Sequence, residues 1–136
     1  VDDLAKWSGW LDAALIVAAA LVPLGHRLLA RRRAVPMSRT IAGHITFGLA
    51  ATAIALLHTF AALPALGSPA AIGGGMTALV PAAAAFFLLF AHVGVGLRLR
   101  NPQLRGRARI RRWHVALALA ISTMVAAHVT ALILAS

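Results

Sequence analysis

The chain of 136 residues is 61% hydrophobic, contains no cysteine and no tyrosine, and carries a formal net charge of +10. Its length fits one compact unit, residues 1–136, but its mean hydropathy of +0.87 excludes an ordinary soluble domain. Without cysteine it has no disulfide framework, thiolate metal site, iron–sulfur cluster or covalently attached haem.

Four apolar runs are predicted as membrane spans, over about 10–30, 40–62, 76–98 and 112–134, each with about 20 or more residues. That is enough to cross a hydrocarbon core of about 30 Å at a rise of about 1.5 Å per residue. The basic residues flank these runs, so the charge points to membrane lipid and not to nucleic acid. The expected architecture is all-α, an integral-membrane four-helix up-down bundle, because short links between consecutive helices make them antiparallel neighbours.

The first run follows Asp2 and Asp3 and ends in arginines. A signal peptide starts basic and has a shorter apolar stretch, so this run is expected to persist as a helix. The valine at position 1 leaves room for an initiator or further residues upstream. Trp7 and Trp10 lie at its start and Trp113 at the start of the fourth run, where interfacial tryptophans belong. Asp12 is the only acid inside an apolar run, and with Asp2 and Asp3 it makes a weak patch for docking a basic donor. Pro23 and Pro81 are candidates for bends in spans one and three.

The first link is RRRAVPMS, the second AALPALGSPAAIGGG and the third RNPQLRGRARIRR. All twelve arginines fall at the side of links one and three: Arg27, Arg31, Arg32, Arg33, Arg39, Arg98, Arg100, Arg105, Arg107, Arg109, Arg111 and Arg112. Lys6 is the only basic residue at the opposite side. The expected location is therefore the cytoplasmic (inner) membrane, multi-pass, with both arginine-rich links in the cytoplasm and both termini outside. The second link is uncharged, faces outward and carries no assigned quinone site.

Spans two and four repeat one pattern. GHITFGLAATAIALLH places His44 and His58 fourteen residues apart, and WHVALALAISTMVAAH does the same for His114 and His128. Fourteen residues rise about 21 Å and return to within about 40° of the starting direction, so each pair shares a face at two depths. Spans two and four run the same way, which brings His44 level with His114 and His58 level with His128. Four histidines in hydrocarbon are costly without a task. Imidazole is a good axial ligand for haem iron. The face from His44 to His58 passes Gly48, Ala51 and Ala55, a strip of small residues with room for a porphyrin. The matching face of span four, through Ala118, Ile121 and Val125, is bulkier.

The competing readings are a helix–helix hydrogen bond at each histidine, or zinc. Zinc wants three or four ligands close together, and these pairs are separated by about 21 Å. The sequence therefore predicts two haem b groups per chain, with His44, His114, His58 and His128 as the metal ligands. Arg39 and Arg112 flank the inner ligands and are candidates for the anionic propionates; plain topology is the alternative for both. His26 and His92 form a possible secondary site for a propionate or a quinone proton, against a structural role. His92 is also the rival of His114 as inner ligand. Gly43, Gly94 and Gly96 are candidates for close helix or porphyrin approach.

This arrangement resembles the membrane cytochromes b with two bis-histidine haems. The ligand positions on the second and fourth helices are similar to those of quinol-oxidising cytochrome b. The two quoted segments also resemble the ferric-reductase-type transmembrane domain and, more loosely, bacterial cytochrome b561. The resemblance covers nearly the whole chain and is specific for diheme ligation. The additional helices, flavin and nicotinamide domain common in ferric reductases are missing from this sequence, as are the later helices of full cytochrome b. The resemblance implies transmembrane electron transfer, with other redox subunits as donor and acceptor and quinone as a further candidate. It implies a subunit of an oxidoreductase complex more than a complete enzyme. The alternatives are a histidine-bearing transporter or metal channel, and a non-catalytic structural membrane subunit.

Overall fold

The computed structural model describes residues 2–66 and 74–135. Residues 67–73, the middle of the second link, lie outside the described residues, while its first six residues continue α2 to Leu66. Four helices follow in order: α1 Asp2–Ala30, α2 Arg39–Leu66, α3 Gly75–Arg98 and α4 Arg107–Leu134. All four are long and apolar enough to cross a membrane. They form an up-down bundle, as the run lengths and short links predict.

The helices overrun the predicted spans. α1 starts at Asp2 rather than near position 10, and α4 starts at Arg107 rather than near position 112. A span ends where charge begins, whereas a helix continues through good helix formers such as arginine until a cap stops it. Gly106 is that stop for α4, at φ 68°, a left-handed conformation that glycine adopts without a Cβ clash. Ser38 starts α2, its Oγ accepting the Ile41 N–H at 3.3 Å. The third link is tied back by Arg107, whose guanidinium donates to the carbonyls of Leu99 at 2.5 Å and Asn101 at 2.6 Å. α1 and α3 continue as helix through Pro23 and Pro81.

The bundle is two antiparallel hairpins. α1 packs along α2 and α3 along α4, while α2 and α3 meet only over a short stretch. Partners fix the register: Ala5 meets His58, Ala19 meets His44, and His26 meets Thr40. In the second hairpin Ala78 meets His128 and Gly96 meets His114.

Packing is that of a membrane protein. The buried apolar residues are mostly alanines (Ala19, Ala51, Ala55, Ala78 and Ala85), which let helices approach closely. Bulky apolar side chains such as Leu29, Phe60, Phe87 and Leu119 face outward, where lipid would solvate them. Trp7, Trp10 and Trp113 are exposed as well. Ala55, Leu89 and Ile121 close the middle of the bundle, with Ile16, Leu88 and Val125 packed against them.

Candidate functional site

The four histidines of α2 and α4 form two facing pairs, one on each side of that apolar middle. The ring centroids of His44 and His114 are 5.9 Å apart, with the planes crossed at 87°. Those of His58 and His128 are 6.4 Å apart, crossed at 65°. The first tier lies towards the arginine-rich links and the second towards the opposite end. Because α2 and α4 belong to different hairpins, each pair straddles the seam between them.

Three of the four rings are held at Nδ1 by a backbone carbonyl of their own hairpin. His44 Nδ1 lies 2.8 Å from the Ala19 oxygen, His58 Nδ1 2.9 Å from the Ala5 oxygen, and His128 Nδ1 2.9 Å from the Ala78 oxygen. A carbonyl only accepts, so Nδ1 carries the proton and donates in each case. In a neutral imidazole so held, Nε2 keeps its lone pair, the form that binds a metal ion. Ser8, buried on α1, stands 3.4 Å from His58 Nδ1 while donating its own hydroxyl proton to the Leu4 carbonyl at 2.6 Å.

The fit to a metal can be tested on the ring spacing. An imidazole nitrogen binds a first-row metal ion at about 2.0–2.1 Å, and the ring centroid sits about 1.1 Å behind it. Two rings in trans therefore put their centroids about 6.3 Å apart. The observed 5.9 and 6.4 Å bracket that value. Among the described residues no group of three or more His, Cys, Asp or Glu is placed to hold a metal ion together.

The Nδ1 atoms of His114 and His92 are buried and reach no hydrogen bond of normal geometry, although the backbone of each residue stands beside the other's ring. The two rings stack face to face, 3.8 Å between centroids and 13° from parallel. His92 is thus part of the inner tier, whereas His26 is engaged elsewhere, its Nδ1 3.4 Å from the Thr40 hydroxyl. Arg39 begins α2 and is exposed, and Arg112 is exposed in a shallow surface depression with Arg109, Trp113 and Ala116.

The glycines divide sharply. A Cβ at Gly96 would come within 3.0 Å of His114 Cε1, and one at Gly9 within 3.0 Å of His58 Cε1. These two positions seat ligand-candidate rings. A Cβ at Gly48 or Gly94 would meet nothing within 4 Å, and at Gly43 only Val22 at 3.9 Å. Gly9, Ser8 and the accepting carbonyls were not legible as site residues in the sequence. One signal existed for Gly9: Gly9 and Pro23 repeat the fourteen-residue spacing of the histidines, as do Ala82 and Gly96 on α3.

The hairpins are built alike. Ala78 and His92 follow Ala5 and Ala19 by 73 positions, and His114 and His128 follow His44 and His58 by 70. Residue 92 therefore holds in α3 the place of Ala19 in α1. Comparison with protein families, curated proteins and solved structures finds no match to this chain.

Proposed function

We propose that this protein carries electrons across a membrane through two haem b groups, as the membrane subunit of a larger redox complex. His44 and His114 would hold the inner haem, and His58 and His128 the outer. The observation that carries this reading is the ring spacing in both tiers, together with Nδ1 donation to a carbonyl at His44, His58 and His128. Haem iron, held by these imidazoles, would supply reversible one-electron chemistry.

The chain's own contribution is placement. The carbonyls of Ala5, Ala19 and Ala78 fix ring orientation and strengthen each imidazole as an electron-pair donor. The apolar residues Ala55, Leu89 and Ile121 stand between the tiers, a lining that disfavours water there. Arg39 and Arg112 supply positive charge at the inner end for propionates, and the arginine-rich links orient that end to the cytoplasm. Partners would be other redox subunits, with quinone a candidate carrier in the membrane.

The test is an optical redox titration of the purified protein with haem quantified per chain. Two haems and low-spin ferrous b-type bands support the reading, and a native preparation without haem refutes it. One observation favours a second reading, cation or proton transport: Asp12, inside α1, has a buried carboxylate oxygen with no hydrogen-bond partner. Flux through reconstituted vesicles in the absence of any haem spectrum would establish that alternative.

A further inference from the structure

In an α-helix the carbonyl of residue i accepts the N–H of residue i+4. The carbonyl of Ala19 should therefore accept from residue 23, and residue 23 is a proline inside α1. Proline has no N–H. That helical donor to the Ala19 carbonyl does not exist, and the same carbonyl receives the His44 ring nitrogen at 2.8 Å. The other two accepting carbonyls differ. Four residues after Ala5 stands Gly9, and four after Ala78 stands Ala82, both with an N–H to offer. Their carbonyls are shared between helix and imidazole, whereas that of Ala19 has lost its competitor.

We propose that Pro23 is a positioning residue for His44. By withholding an N–H it frees the Ala19 carbonyl for the imidazole, which fixes the neutral His44 ring with Nδ1 protonated and Nε2 bare, in the tier it shares with His114. The tautomer claim stands on this chain alone; its consequence for a haem potential rests on the function proposed above. The proline also explains why a helix breaker sits in the middle of a membrane span. The carbonyl it strips is satisfied by a side chain of the neighbouring helix, which removes most of the cost of an open backbone group in hydrocarbon.

The test compares wild type with Pro23→Ala and Pro23→Gly, both of which restore an N–H at residue 23. Pro81→Ala is the control, because the carbonyl stripped by Pro81 is that of Thr77, which no histidine uses. The first readout is the Nδ1 resonance of His44 in histidine-15N-labelled protein, in the reduced, diamagnetic state. The second is the pair of midpoint potentials. A weakened hydrogen bond makes His44 a poorer donor to the ferric state. The expected result is a changed His44 resonance and one potential shifted positive in both Pro23 variants, with the other potential unmoved and Pro81→Ala like wild type. An unchanged His44 resonance and two unchanged potentials overturn the proposal. Should either Pro23 variant fail to fold, the other decides, and a wild-type His44 protonated at Nε2 instead of Nδ1 overturns the proposal without any variant. If the protein binds no haem, the function reading falls while the His44 resonance still decides the role of Pro23.

Discussion

The imidazoles of His92 and His114 lie nearly parallel, 3.8 Å between centroids, and each buries an Nδ1 beside the other residue's backbone without a hydrogen bond of normal geometry. Residue 92 stands where the first hairpin has Ala19, so the inner tier gathers three rings, His44, His92 and His114, where the outer tier has two. The crossing of His114 over His44 at 5.9 Å makes His114 the ring that faces α2.

Replacing His114 with alanine is expected to remove one haem of two, while His92→Ala leaves both bound and shifts one potential. Haem per chain and ferric low-spin resonances measure this. The reverse pattern, loss with His92→Ala and none with His114→Ala, would make His92 the ligand.

Gly9 and Gly96 are expected to take a methyl only if an imidazole shifts. Each new Cβ would sit 3.0 Å from an imidazole carbon, tighter than nine in ten real Cβ contacts. Overpacking of this kind costs roughly 1–3 kcal/mol and displaces the ring. Gly9→Ala should disturb the outer tier and Gly96→Ala the inner, each seen as lower thermal stability and weaker haem retention. Gly94→Ala, with open space around it, should instead gain the helix propensity of alanine, about 0.8–1 kcal/mol.

Arg107 is expected to hold the third link more than any of its arginine neighbours. Its guanidinium serves two link carbonyls, and a hydrogen bond to a charged group contributes about 1.5–3 kcal/mol. Arg107→Ala should speed amide exchange across residues 99–106, whereas Arg105→Ala, at an exposed position, should not.

Asp12 is the polar group α1 hides least well. Its unpartnered buried oxygen would be costly as a carboxylate, so Asp12→Asn is expected to raise the thermal midpoint in detergent, by up to about 1–3 kcal/mol of stability. A lowered midpoint would mean that Asp12 has a partner in the membrane, as transport requires.

The number of spans, their antiparallel order and the levels of the four histidines were legible in the sequence, because each follows from a period. Apolar runs of membrane length set the helices, and a fourteen-residue repeat brings a helix back to nearly one face. The helix ends were not legible, since charge marks the edge of lipid while Ser38 and Gly106 mark the edge of the helix. The strip through Gly48 was readable as small, but which glycines touch a ring depends on how α1 and α3 are rotated and shifted. That placed Gly9 and Gly96, and not Gly48, against the imidazoles.

Sequence alone thus determined a four-span bundle with two histidines at each of two depths. Only the tertiary structure decided what holds those rings: the carbonyls of Ala5, Ala19 and Ala78, the stack of His92 on His114, and the carbonyl that Pro23 leaves free. The physical reason is that every residue carries the same backbone carbonyl. A carbonyl becomes a specific acceptor only when helix packing brings one particular oxygen within 3 Å of one particular ring.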